Sequence, residues 1–348
     1  MNASGPFVTH PQVTSRITVP RLLDSCVADR ELHESIPLSG SFTLPRIIQA
    51  PLGGLASVEL VLAVSNAGGL GCLALTWTDA EPAGRLVAAV RAKTQAPFAA
   101  NFVLGFEPRA LPAVLEAGIP VVTFSWGLPG DLVKSAHSFG AAVGVQVGTV
   151  EGARRALEQD CDFIICQGVE AGGHVQSSTP LGELLPRIVA VAGPVPVVAA
   201  GGLADKVDVA KVRSLGARAA MLGTRFVAST ESHAHAAYKQ ALLAASAQDT
   251  ALTGCFDGGW PYALHRVLRN STLVNWEAAG CPPSGHRPGE GDVVARLKTG
   301  SPVHRYDDMP PNVAMSGDLG DCCLYAGMGV GKITEVRSAA VLVEELAD

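Results

Sequence analysis

The sequence predicts an α/β fold, a (β/α)8 TIM barrel with an irregular C-terminal segment over the barrel mouth, and three observations predict it. From Pro45 onward, short β-branched runs alternate with Ala- and Leu-rich stretches of helical period, the signature of repeated βα units around a parallel sheet. Eight such runs precede residue 223, each separated from the next by one helical pattern, whereas an open doubly wound sheet usually has fewer strands. Of the 348 residues, 48% are hydrophobic but only 5% are aromatic, so the core is mostly Ala, Val and Leu, as buried parallel strands under helices require.

Strands are expected at 46–50, 71–75, 98–103, 121–124, 142–147, 163–167, 195–199 and 219–222. The helices between them are expected at 58–67, 82–93, 108–117, 131–139, 150–158, 181–191 and 204–215. A further helix should begin near Ser229 to Glu231 and run to about Ala245, with Ser229 and Thr230 as caps and Glu231 at the positive helix end. After Thr250, Gly, Pro, Trp and Asn become frequent, yet Trp260, Tyr262, Trp276 and Tyr325 call for burial. This stretch therefore reads as an irregular insert folded onto the mouth and not as a linker, with a last helix over 336–346. The division that follows is an N-terminal extension (1–44), with a short helix around 21–33 and no recognisable chemistry, a barrel (45–228), and an extra helix with a covering segment (229–348).

Composition excludes several functions. A formal charge of −6 and the lack of a Lys/Arg cluster leave no surface for nucleic acid. The uncharged run 60–78 is interrupted by Ser65, Asn66, Gly68, Gly69 and Gly71, so it reads as a buried helix, turn and strand and not as a membrane span. The first forty residues hold no continuous apolar segment, so a secretory signal is not expected and a cytoplasmic location is. The eight cysteines (Cys26, Cys72, Cys161, Cys166, Cys255, Cys281, Cys322 and Cys323) lack paired CxxC spacing and read as reduced thiols.

Ligands of an α/β barrel sit where strands end at their C-terminal side. There the sequence places Ala50-Pro51-Leu52-Gly53-Gly54, Asn101, the stretch from Gln167 to His174, Ala200-Gly201-Gly202, and Gly223-Thr224-Arg225-Phe226. Glycines at 201, 202 and 223 allow backbone N–H groups to approach an anion closely, beside helices whose positive ends follow strands seven and eight. A tight strand-to-helix turn alone would also use Gly201 and Gly202, but the neighbouring Gly223-Thr224 turn makes the pair a phosphate site. His174 is the catalytic candidate, since Gly172 and Gly173 let the chain pass close to a flat cofactor while the imidazole points into the mouth. Asn101 and Gln167 are uncharged hydrogen-bonders suited to the donor and acceptor edge of a flavin ring, although polar groups at strand ends also occur for structural reasons.

Other signals are discounted. Gly69-x-Gly71-x-x-Ala74 precedes a strand, unlike a dinucleotide fingerprint, and reads as a helix stop. The stretch from Ala326 to Lys332 resembles a P-loop, but Ala326 replaces its first glycine and Ile333 stands where Ser or Thr would bind magnesium. His233 and His235, two apart on a helix, face different ways, so no metal site is expected.

Together these motifs resemble the nitronate monooxygenases, formerly called 2-nitropropane dioxygenases. The resemblance runs from about Pro45 to the C-terminus and rests on Ile48 to Gly54, Ser65 to Gly71, Gln167 to His174, Ala199 to Gly202 and Gly223 to Phe226. It implies an FMN-dependent barrel in which Pro51, Leu52 and Gly53 line the flavin and Asn101 and Gln167 contact its ring. Gly172, Gly202, Met221, Leu222, Gly223 and Thr224 would hold the remainder and the phosphate, with His174 as the catalytic histidine. The implied reaction is oxidation of an alkyl nitronate, or of a nitroalkane, by O2 to a carbonyl compound and nitrite. The chain departs from the family pattern at Leu52, where Met is usual, at Asp205-Lys206-Val207-Asp208, where the turn is usually richer in glycine, and before Pro45. Two other readings share the fold: an NAD(P)H-dependent flavin reductase of the enoyl-acyl-carrier-protein reductase or quinone reductase type, and a flavin-binding pathway component without catalysis. The sequence sets no oligomeric state.

Overall fold

The strands β1 (Ile47–Gln49), β2 (Gly71–Ala74), β3 (Phe98–Val103), β4 (Val121–Ser125), β5 (Ala142–Val147) and β6 (Phe163–Gln167) follow one another as expected. A two-residue strand β7 (Gly173–His174) lies outside that series, which resumes with β8 (Val197–Ala200) and β9 (Ala219–Leu222). This is a computed structural model that describes residues 42–258, Trp260 and 262–348. The helix expected at 21–33, and Cys26, lie outside the described residues. Eight strands form one parallel sheet in the order β1-β9-β8-β6-β5-β4-β3-β2. An Ile48–Leu70 bridge joins its two ends, with Gln49 N–H donating to the Leu70 carbonyl at 3.0 Å and Leu70 N–H to that of Ile47 at 2.9 Å. The sheet is thus a closed barrel.

Strand alternation sorts the core into two shells. Ile48, Cys72, Ala99, Val121, Ala142, Phe163, Val198 and Met221 cluster inside the barrel, while Ile47, Leu73, Ala100, Val122, Val143, Ile164 and Leu222 pack against the helices. The Phe163 ring fills the interior because residue 144 is glycine, where a Cβ would lie 2.3 Å from that ring.

The helices of the wall are α1 (Val58–Asn66), α2 (Ala80–Arg91), α3 (Leu111–Glu116), α4 (Leu132–Ser138), α5 (Val150–Leu157), α6 (Leu181–Ala192) and α7 (Lys206–Ser214). Ser57, Thr149 and Asp205 cap α1, α5 and α7 by accepting from the N–H of Leu60, Gly152 and Asp208 at 2.9, 2.9 and 2.8 Å. The glycines after α1 stop it and seat it, since Gly68 has φ +86° and a Cβ on Gly71 would meet the Val61 carbonyl oxygen at 2.5 Å.

The helix expected near 229–245 forms only over its second part, as α9 (Ala236–Ala244), which is capped by His235 and not by Ser229 or Thr230; a four-residue α8 (Thr224–Val227) precedes it. The Ser229 and Ser232 hydroxyls donate to the carbonyls of Phe226 and Val227 at 2.7 and 2.8 Å, and the Lys239 ammonium takes the carbonyls of Ser229 and Ser232. These side-chain bonds compete with the helical ladder and hold the intervening chain in another path.

The segment after Thr250 is more regular than expected. Strands β10 (Thr250–Thr253) and β11 (His265–Leu268) form an antiparallel sheet with β7. Helix α10 (Ser271–Ala278) follows, and β12 (Val293–Leu297), β13 (Pro302–His304) and β14 (Met315–Gly317) make a second such sheet. The last helix, α11 (Ala339–Ala347), packs against α1, α7 and β1. It buries Leu342, Val343 and Leu346 in the same shell as the wall helices, so it occupies the eighth place of the outer ring. Among the described residues no helix is long and apolar enough to cross a membrane, and the seven cysteines are free, all buried except Cys281.

Candidate active site

A cavity of about 580 Å3 opens over the C-terminal ends of the barrel strands. Its lining includes Pro51, Leu52, Gly53, Asn101, Gln167, Gly172, His174, Gly201, Gly202, Met221, Gly223 and Thr224. The cavity therefore brings together every residue assigned to catalysis or cofactor binding from the sequence except Leu222. The period of two in β9 turns Met221 into the barrel and Leu222 outward to the helices, where it is 1% exposed. The Leu222 side chain therefore does not line the cavity.

Glycines form one wall of the cavity because three loops meet there backbone to backbone. Gly201 and Gly202 have φ of +119° and +69°, and a Cβ on Gly201 would lie 3.1 Å from the Gly168 carbonyl oxygen. A Cβ on Gly172 would meet Gly327 N at 2.4 Å, and one on Gly329 would meet the Gly202 carbonyl oxygen at 2.3 Å. The Thr224 hydroxyl accepts from Gly327 N–H at 3.0 Å, tying the turn after β9 to the same stack.

His174 faces the cavity from β7, directly across from His265 on β11. The Gln167 side chain fixes this strand to the barrel: its Nε2 donates to the His174 carbonyl at 3.1 Å and its Oε1 accepts from Gln176 N–H at 2.7 Å. Part of Gln167's polarity thus orients the histidine arm. Asn101 donates from Nδ2 to the Thr123 carbonyl and hydroxyl at 3.2 and 3.1 Å. Ring centroids of Trp260, His265, Tyr325 and Trp126 lie 4.7, 5.5, 5.6 and 6.3 Å from that of His174. Burial in this cage, with His265 adding to it, pushes the His174 pKa down to about 4. The His265 Nε2 accepts from Phe256 N–H at 3.1 Å while its Nδ1 lies 3.1 Å from the Ala263 carbonyl, an arrangement that suits the neutral Nδ1–H tautomer.

Several lining residues were not assigned to the site by sequence reasoning: Trp77, Phe106, Trp126, Tyr238 and Asp308, and Trp260 and Tyr325, which were expected only to be buried in the segment over the mouth. Trp126 was within reach of the strand-end rule, since it directly follows β4, and its φ of +58° is a conformation that bulky residues rarely take. Trp260, Asp308 and Tyr325 come from the covering segment, whose path no local pattern sets. Tyr238 donates its hydroxyl to the Tyr325 carbonyl, and Tyr325 donates its own to the Asp308 carbonyl at 3.0 Å. Burial, with Asp307 and Asp257 adding to it, pushes the Asp308 carboxyl up to about 6.

A closed eight-stranded barrel with a glycine-walled cavity at the C-terminal strand ends, and a caged histidine facing into it, has the layout of a barrel enzyme. The nitronate monooxygenase family model matches residues 37–109 and 106–348. The chain belongs to that family and is an oxidoreductase. It is 32% identical over 351 residues to a nitronate monooxygenase of Pseudomonas aeruginosa, spanning 86% of this chain and 95% of the relative. Nitroalkane oxidase from Streptomyces ansochromogenes superposes with a TM-score of 0.72 at 29% identity, covering 88% of this chain and 95% of that one. FabK from Thermotoga maritima gives 0.71 at 27% identity, covering 87% and 91%.

Proposed function

We propose that the protein oxidises alkyl nitronates with O2 to a carbonyl compound and nitrite, with FMN as cofactor. The observation that carries this reading is the pairing of a glycine-backbone wall with a neutral, caged His174 in one cavity. Because turns at Gly201-Gly202 and Gly223-Thr224 present main chain with no Cβ at the glycines, they fit a phosphate held by N–H groups. Asn101 within β3 and Gln167 at the end of β6 are amides that line the same cavity as Met221 and suit the polar edge of an isoalloxazine ring. When bound, FMN supplies the two-electron acceptor that O2 re-oxidises.

The chain's own residues then bind and orient. A neutral imidazole donates from one nitrogen and accepts at the other, which suits a hydrogen bond to a nitro oxygen. With its pKa at about 4, His174 is a weak base, so a nitronate that arrives already deprotonated is favoured over the neutral nitroalkane. Trp126, Trp260 and Tyr325 exclude water around the ring, and the segment from 229 onward acts as the cover that completes the barrel's site.

The test is a visible spectrum of the purified protein and a nitrite assay on small alkyl nitronates, with and without NADH. The expected result is bound flavin, nitrite formation independent of NADH, and anaerobic bleaching of the flavin by the nitronate. Bleaching by NADH or NADPH alone, without nitrite from any nitronate, would assign the protein to the reductases instead.

A further inference from the structure

Two sequence features find no use inside the cavity: the acidic turn Asp205-Lys206-Val207-Asp208 and the P-loop-like stretch that ends at Lys332. They meet outside it. The Lys332 ammonium lies 2.6 Å from Asp208 Oδ1 and 3.3 Å from Asp205 Oδ2, although 124 and 127 positions of chain separate them. In a true P-loop the lysine reaches a nucleotide phosphate, whereas this one is already paired with two carboxylates.

The pairing joins two pieces of the glycine wall. On one side, Asp208 holds the turn after β8, since its Oδ2 accepts from Ala204 N–H at 3.0 Å, two residues past Gly202, while Asp205 caps α7. On the other, Lys332 ends a 3-10 turn over 328–332 that lies against three loops of the site. Gly327 N–H donates to the Thr224 hydroxyl at 3.0 Å, Met328 N–H donates to the Glu170 carbonyl at 3.0 Å, and a Cβ on Gly329 would lie 2.3 Å from the Gly202 carbonyl oxygen. The Asp208 side chain is 17% exposed and that of Lys332 45%, so water and salt screen this pair less than one standing fully in solvent.

We propose that Lys332 and Asp208 form a clasp that holds the 327–332 stretch of the cover on the 201–204 turn, and that both are positioning residues for the phosphate end of the cofactor. The role of the clasp rests on the FMN reading, because that reading puts the phosphate at Gly201-Gly202. Neither side chain lines the cavity, so both act through the main chain from Gly202 to Ala204, whose N–H groups must keep one arrangement to receive an anion. Riboflavin lacks the phosphate, so its binding does not depend on the clasp.

Titration of the whole chain, stripped of flavin, with FMN and with riboflavin separates the possibilities, binding being read as quenching of flavin fluorescence. Lys332→Met and Asp208→Asn are each expected to raise the Kd for FMN roughly two- to fivefold, the range of a partly exposed ion pair, and to leave riboflavin affinity unchanged. Asp208→Asn keeps an oxygen for the Ala204 N–H, so its loss reports the ion pair and not the turn. The double variant is expected to bind FMN no more weakly than the worse single variant, because one interaction can be removed only once, and Lys332→Arg to restore the parent value. An FMN Kd unchanged in both single variants overturns the clasp. So does a loss in only one of them: in Lys332→Met alone it would make the ammonium a phosphate ligand, and in Asp208→Asn alone it would leave the lysine without a part. Equal losses for FMN and riboflavin overturn the assignment to the phosphate turn. A parent protein that does not take up FMN sinks the cofactor reading and the clasp with it, whereas the other failures leave that reading standing.

Discussion

Burial among Trp126, Trp260 and Tyr325 leaves His174 without its proton at every pH well above 4, and this has consequences for stability and for rate. The folded pKa lies below the unfolded value of 6.5, so between these two values the unfolded chain binds a proton that the fold refuses. Stability contributed by the neutral ring is present above 6.5 and is lost as the pH falls towards 4. His174→Asn is therefore expected to flatten the fall of Tm between pH 6.5 and 4, as measured by thermal melts across that range. For catalysis, the same substitution should lower kcat/KM for a nitronate by roughly 10- to 100-fold, the cost of one hydrogen bond to a charged group. Nitronate and nitroalkane kinetics measured side by side check the role: if His174 were chiefly a base, the nitroalkane would suffer far more. The histidine was legible in the sequence because two glycines and a strand end precede it. Its electrostatic setting was not, since His265, Trp260 and Tyr325 are about 90 residues or more away in the chain and meet it only through the β7–β11 pair.

At the scale of elements, the site depends on loops that have given up side chains to lie against one another. Gly172 is the tightest lining position of the turn after β6, because both nearest atoms to an added Cβ, Gly327 N at 2.4 Å and the Ala326 carbonyl carbon at 2.6 Å, are backbone and cannot rotate away. Gly172→Ala should push the 326–329 stretch off the 201–202 turn and release the cofactor. The expected outcome is a lower ratio of flavin to protein absorbance after gel filtration, with the barrel's circular dichroism retained. The glycine turns were readable because each directly follows a strand, a position that carries meaning in a barrel. The strand pairing that carries His174 was not, because Gly173–His174 is too short to show an alternating pattern and its partner His265–Leu268 is buried at every position. Hydrogen bonds from the Ser229 and Ser232 hydroxyls back to the carbonyls of Phe226 and Val227 likewise defeated the periodicity that predicted one long helix over 229–245.

For the whole molecule, the eight-stranded cylinder was legible because period and count repeat along a continuous stretch. How its ring of helices closes was not. After β9 the chain forms only the short α8, leaves to build the cover, and returns with α11 to fill the gap between α7 and α1. Leu342, 2% exposed, lies in that seam. Leu342→Ala is expected to cost about 2–5 kcal/mol, read as a lower urea midpoint, while leaving nitronate kinetics unchanged at low temperature. The same detour matters during synthesis. A chain emerging from the ribosome completes all eight staves of the cylinder more than a hundred residues before α11 is made, so the seam between α1 and α7 stays open in the interval. That exposed groove is where a chaperone would be needed, and a translational stall before residue 339 would leave a product with its cover assembled but its outer ring unsealed.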